Sequence, residues 1–265
     1  AIFSERMQLE AAVLGSANRT AQFLEPTGPE EEYMLARLAD AVVVVSERDR
    51  QIMRANAVCP AFVVGHRVPI TFTTAAFSER RSFLFVGSVH GAESPNADSI
   101  RYFCSNIWKP VHHATGAILE IAGHGTDTIQ AITNDETVQV LGQVDDLRPL
   151  YERARVFIVP TRYAAGIPFK AHEAAAHGVP LVVSELIANQ LQWDDGRDYL
   201  VARDPAEFRE CCARLYRDEE LWCHIRENAR VRVENELSGS AFRNAVHSVL
   251  RRVRPDAVPA GPRPQ

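Results

Sequence analysis

Lys170 and Glu173 stand three residues apart in the stretch FKAHEAAAH, so on a helix they share a face. An ammonium and a carboxylate held together can serve one ligand. The cation suits a phosphate, and the ionised carboxylate suits hydroxyl groups that donate to it. The same spacing suits a solvated ion pair worth about 0.2–0.5 kcal/mol, and spacing alone does not separate the two. Just upstream, Thr161–Pro168 carries Arg162, a cation able to bind an anion through two nitrogens. A surface salt bridge is an equal reading for it. Gly166 and Ile167 follow, with backbone N–H groups that a ligand can approach closely because glycine has no Cβ.

The flanking residues say what positions this set. VFIVP, from Val156, is a short apolar run of β-branched and aromatic residues, as a strand buried on both faces should be. TRYAAGIP is a loop. Pro168, with no N–H and a preset φ, suits the first turn of a helix, and the alanine-rich segment after it favours helix. Gly178 is a natural left-handed cap, Pro180 bars continuation, and PLVVS is a second buried strand. The whole is a βαβ unit whose crossover should be right-handed. In such sheets ligands bind beyond the carboxyl ends of the strands. The helix start points its dipole's positive end there, so an anion, most simply a phosphate, belongs at it.

The segment A-A-G-I-P-F-K-A-H-E-A-A-A-H-G-V-P-L-V-V resembles the nucleotide-binding half of a GT-B glycosyltransferase of the family 4 type. That family carries a Glu-x7-Glu motif, commonly E-G-F-G-L-P-x-x-E-A-x-A-x-G-x-P-V-V. Gly166, Pro168, Glu173, Ala174, Ala176, Gly178 and Pro180 match it. Glu173 takes the place of the second glutamate, which in the family hydrogen-bonds the nucleotide ribose. The first would fall at Ala165 and is missing. Some branches read R-Y-x-A-G-x-x-x-K-x-x-E-A, which Arg162, Tyr163, Ala165, Gly166, Lys170, Glu173 and Ala174 fit. The likeness runs on through F-V-G, P-N, I-A-G and L-G-x-V-x-D-L-x-x-L-Y-x-x-A.

With 265 residues, 46% hydrophobic and 24% charged, the chain has ordinary globular composition. The net charge of −5 argues against a nucleic-acid surface. Cys59, Cys104, Cys211, Cys212 and Cys223 form no C-x-x-C pair and read as reduced thiols of a cytoplasmic protein. No apolar run approaches the ~18 residues of a membrane span, and no signal peptide is evident. The first residue is Ala1, which fits a fragment or a processed product.

Taken in order, residues 5–24 read as a helix carrying Leu9, Ala12, Val13 and Leu14. EEEYMLARLAD is a second helix, and AVVVVS and AFVVG are strands around a helix that Ser46 caps. ADAVVVVS resembles the close of a family 4 first domain. A full first domain needs about 100 residues or more on the usual domain size, against 40 here, so a remnant is expected. The organisation is therefore a partial N-terminal portion over 1–66, a linker over 67–81, and a nucleotide-sugar-binding domain over 82–236. A final helix over 237–254 should pack back on the first part, and a Pro/Gly/Ala-rich tail over 255–265 should be disordered. The fold class is α/β: a Rossmann-like, doubly wound parallel sheet with an incomplete N-terminal portion.

The resemblance implies a retaining transferase with a nucleotide-diphosphate sugar as donor and no metal or other cofactor. Its acceptor is unknown: a glycan, lipid or protein. Lys170 is the first choice for the leaving diphosphate and Arg162 the second. Glu173 would accept the ribose hydroxyls, with Gly166 and Ile167 against the sugar or phosphates. Many members carry a basic clamp, G-R-x-x-x-x-K, after the first strand. Here that stretch runs from Gly87 to Glu93 without either cation, leaving His90 and Asn96 as hydrogen-bond donors. Val144, beside Gly142 and Gln143, corresponds to the region that borders the base. His124 reads as a surface loop residue, and Asp145 and Asp146 as a helix start rather than metal ligands. The family's active-site histidine comes from a segment with no counterpart here, so no catalytic base is assigned. A non-catalytic binding or scaffold module of the same fold is the second reading, and a sugar-nucleotide epimerase the third. An incomplete first portion would leave apolar surface open to self-association or another chain.

Overall fold

The computed structural model describes residues 9–10, 12–13, 29–56, 59–126, 135–164 and 166–253. The chain forms two compact units. One comprises Ala1–Val68, Ala165–Ile167 and Asn235–Gln265, the other Pro69–Ala164 and Pro168–Glu234.

The larger unit is built on a six-stranded, all-parallel sheet. In chain order the strands are β3 (Ser82–Val86), β4 (Ile118–Ala122), β5 (Val138–Gly142), β6 (Ala154–Val159), β7 (Leu181–Ser184) and β8 (Leu200–Ala202), and their order across the sheet is β5-β4-β3-β6-β7-β8. Each residue of β3 is buried, as a strand covered on both faces must be. The winding direction reverses between β3 and β6, which makes a crevice at their carboxyl ends. Helices α3 (Pro95–Phe103), α4 (Lys109–Thr115), α5 (Arg148–Arg153), α6 (Phe169–Ala176), α7 (Glu185–Leu191) and α8 (Pro205–Arg217) connect and cover the strands, and α9 (Glu219–Leu237) follows them.

Local signals set the helix ends. The Ser94 Oγ accepts from Ala97 N (3.4 Å), with Pro95 opening α3. Asp146 Oδ1 accepts from Arg148 N (2.9 Å), so this aspartate does mark a helix start. Helix α3 runs on into α4 through a π turn over Cys104–Trp108. Pro110 has no N–H for the carbonyl of Asn106, and a wider turn there relieves the mismatch. Trp108 is core, fully buried. Its ring meets Phe83 edge-on at 5.6 Å, and Phe103 meets Phe208 at 5.9 Å.

Arg80 is completely buried. It donates to the carbonyls of Tyr151 (2.8 Å), Ala154 (2.9 Å) and Ala75 (3.0 Å). Carbonyls and the Thr73 hydroxyl rather than a carboxylate satisfy it, and burial lowers its pKa to about 10.

In the smaller unit, α1 (Pro29–Arg37), β1 (Val42–Val44), α2 (Glu47–Asn56) and β2 (Ala61–Val63) pack Ala36, Val44, Met53 and Ala61 into a small core. The two strands pair in parallel, Val43 opposite Phe62. Ser46 Oγ accepts from Asp49 N (3.0 Å) and caps α2. Helix α10 (Gly239–Val253) also belongs to this unit. Of the helix expected over residues 5–24, Leu9, Glu10, Ala12 and Val13 are described and are helical. The rest of it, and the tail expected to be disordered, lie outside the described residues. Among the described residues no helix is long and apolar enough to cross a membrane, and all five cysteines are free thiols.

Candidate active site

In the larger unit, the loops after β3 and β4 and the start of the loop after β6, residues 160–164, follow the carboxyl ends of those strands. Gly87 N donates to Ala122 O (2.9 Å) and Val89 N to His124 O (2.8 Å), which ties the first two together. Gly123 has φ 140°, and a Cβ on it would sit 2.3 Å from the Gly87 carbonyl oxygen. That approach needs glycine. The third loop is held from several sides. Ser184 Oγ donates to Thr161 O (2.6 Å), Gln190 Nε2 to Ala164 O (3.0 Å), and Tyr163 Oη to Glu93 O.

Lys170 lies in the first turn of α6. Its ammonium donates to Asn96 Oδ1 and sits 4.5 Å from the centroid of Phe85. Asn96 in turn donates through Nδ2 to Ser88 O (2.7 Å), and its side chain lies against Gly87, where a Cβ would come within 2.9 Å of it. The residue as a whole is half-buried, but its charged end is enclosed, and burial lowers its pKa to about 7. Lys170 and Glu173 thus form no ion pair, contrary to the solvated pair that spacing allowed. The first turn of α6 carries Lys170 over the end of β3, where an amide oxygen and a ring face receive it.

Glu173, one turn further on, is half-buried. Burial raises its pKa, and the Tyr151 hydroxyl opposes that rise. Tyr151, from α5, is fully buried. Its ring stacks on His177 at 4.3 Å and 10°. The hydroxyl interacts with Glu173 without closing a well-aligned hydrogen bond, and Tyr151 Oη has no hydrogen-bond partner among the described residues.

Arg162 is engaged. Its Nε donates to Asp98 Oδ2 (3.0 Å) and its Nη2 to Oδ1, and the guanidinium lies 4.9 Å from the Tyr102 ring centroid. The Asp98 side chain is only 4% exposed. Of the two readings open for Arg162, the geometry has the ion pair, though with a buried partner rather than one at the surface. The pairing raises the pKa of Arg162.

His90 is exposed on the loop after β3, and Val144 is half-buried on the loop after β5. His124 is exposed, with Nδ1 3.1 Å from Gln143 Oε1. Gly166 has φ 84°, the left-handed conformation for which glycine is suited. Gly166 and Ile167 are grouped with the smaller unit, and Ala165 lies outside the described residues. Within the larger unit, then, Asn96 brings Lys170 to the Gly87 loop at the ends of β3 and α6, and Glu173 lies one turn further along α6, against Tyr151. Asn96 is not a free donor, since both ends of its amide are occupied. Sequence reasoning gave neither Tyr151 nor Asp98 a role at the site, although Tyr151 is the tyrosine of the L-Y-x-x-A stretch. Their partners arrive from distant segments through the winding of the sheet, which local sequence does not show.

Residues 80–218 match the family model described as "Glycosyl transferases group 1". The match spans more than half of the chain, and the chain belongs to that family. No curated protein sequence matches it. Among solved structures it is similar to TarM of S. aureus, with TM-score 0.68 and 14% identity over 88% of this chain and 48% of that one. It is similar to the sucrose-phosphate synthase of Thermosynechococcus elongatus, with TM-score 0.70 and 17% identity over 92% of this chain and 66% of that one. It is also similar to Anabaena HepE in complex with UDP and glucose, with TM-score 0.63 and 13% identity over 84% and 66% of the respective chains. At such identities the likeness is one of fold, that of the GT-B glycosyltransferases. The chain spans about half the length of TarM and about two thirds of the other two.

Proposed function

We propose that this chain supplies the donor-binding half of a retaining glycosyltransferase of the family 4 type, acting in the cytoplasm. It would take a sugar from a nucleotide-diphosphate donor to a glycan, lipid or protein acceptor. The observation that carries the reading is the pair on α6, the helix after β6: an enclosed ammonium at Lys170 and a half-buried carboxylate one turn on at Glu173. Glu173 would accept from the two ribose hydroxyls, and Lys170 would meet the diphosphate. Gly87 would let the phosphates approach the backbone of the β3 loop. Charge leaving with the diphosphate needs such fixed donors, and the reading calls on no metal or other cofactor. Uridine is the first base to try, since a TarM variant and HepE were each solved with UDP.

Titration calorimetry with UDP and GDP tests the reading. Binding of one of them, weakened about tenfold or more by Glu173→Gln as loss of charged hydrogen bonds requires, supports it. Absence of heat with either nucleotide sinks it. A second reading, a non-catalytic nucleotide-sugar-binding or scaffold module, draws support from Arg162, which is locked to Asp98. Binding of UDP-sugar without transfer or hydrolysis, even with added acceptor extract, would favour that module.

A further inference from the structure

Tyr151 is odd as a core residue. A buried hydroxyl without a hydrogen bond is costly, and phenylalanine would fill the same space without that cost. Nothing about its place is loose. The ring lies flat on His177, and Phe157 packs at 6.2 Å and 32°. Its carbonyl accepts from the buried Arg80 at 2.8 Å. His177 follows Glu173 by four residues, so the two occupy neighbouring positions on one side of α6. A ring stacked on the first can extend its hydroxyl to the second.

We propose that Tyr151 is a positioning residue for Glu173: its enclosed hydroxyl, set beside Glu173, fixes the carboxylate in the orientation that accepts a vicinal diol. The inference rests on the nucleotide reading above. An ionised carboxylate has two oxygens and room for about four donors. A ribose diol supplies two, and the phenol a third, which holds the rotamer and favours the ionised form. Burial and Tyr151 are the influences acting on Glu173. Those facing His177 are Thr71, Arg148, Asp146 and Glu152.

The experiment is calorimetry of wild type, Tyr151→Phe, Glu173→Gln and the double variant, with UDP and with 2′,3′-dideoxy-UDP, from pH 5 to 8. Y151F keeps the ring on His177. It should weaken UDP about tenfold, the scale of one hydrogen bond to a charged group, and move the acid limb of binding to higher pH. It should leave dideoxy-UDP unchanged, and the double variant should bind UDP no more weakly than E173Q. If wild type does not bind UDP, the nucleotide reading falls and this inference with it. If UDP binds and E173Q weakens it while Y151F matches wild type in affinity and pH profile, this inference alone falls. Should Y151F fail to fold, NMR of the wild-type UDP complex decides: a protected Tyr151 hydroxyl proton supports the role, and its absence overturns it.

Discussion

Replacing Lys170 by Met should stabilise the protein at neutral pH and remove part of its gain in stability as pH rises. Lys170 carries its ordinary pKa of 10.5 in the unfolded chain and about 7 in the fold, lowered by burial. That difference corresponds to about 5 kcal/mol against the charged form. Below pH 7 the group is protonated in both states, so the whole penalty is present. Between about 7 and 10.5 the unfolded chain holds the proton and the fold has released it, so stability climbs with pH. The linkage relation puts the climb at about 2 kcal/mol between pH 7 and pH 9. Urea denaturation of wild type and K170M across that interval measures it. The buried thiols of Cys104 and Cys211, pushed up to about 12 and about 11, act in the opposite direction above pH 9. They do so in both proteins, so the difference isolates the lysine. K170M should be the more stable at pH 7, with the gap narrowing by about 2 kcal/mol at pH 9. A gap constant to within about 0.5 kcal/mol, near the error of extrapolation, would mean that the ammonium is solvated, and the enclosure by Asn96 and Phe85 would be wrong.

Arg162→Ala would leave the Asp98 carboxylate buried without its cation, and a loss of about 2 kcal/mol in chemical denaturation is expected, moderated by the exposure of the arginine. Gly123→Ala would set a Cβ against the Gly87 carbonyl at a positive φ, costing about 3 kcal/mol; an unchanged melting temperature would refute the close approach. UDP affinity should be bell-shaped in pH. It rises as Glu173 ionises through a pKa lifted above its ordinary value and falls as Lys170 loses its proton through about 7. In K170M the falling limb should vanish while the acid limb stays, and calorimetry over the same pH range reads both.

The sequence by itself determined the sheet and its crossover helices. Runs such as SFLFV and VFIVP are too apolar to stand anywhere but between two layers, and Ser94–Pro95 and Gly178–Val179–Pro180 punctuate helices through their own backbone chemistry. These are local effects, and local sequence carries them. It also placed Lys170 and Glu173 on a single helix, because helical period fixes that much. What it left open was each side chain's partner. Whether Lys170 met Glu173 or water, and whether Arg162 stayed free for an anion, depended on residues that only the winding of the sheet delivers: Asn96 and Asp98 from α3, and Tyr151 from α5. The tertiary structure decided those questions because burial and pairing are set by which strands lie side by side, and spacing along the chain does not encode that adjacency.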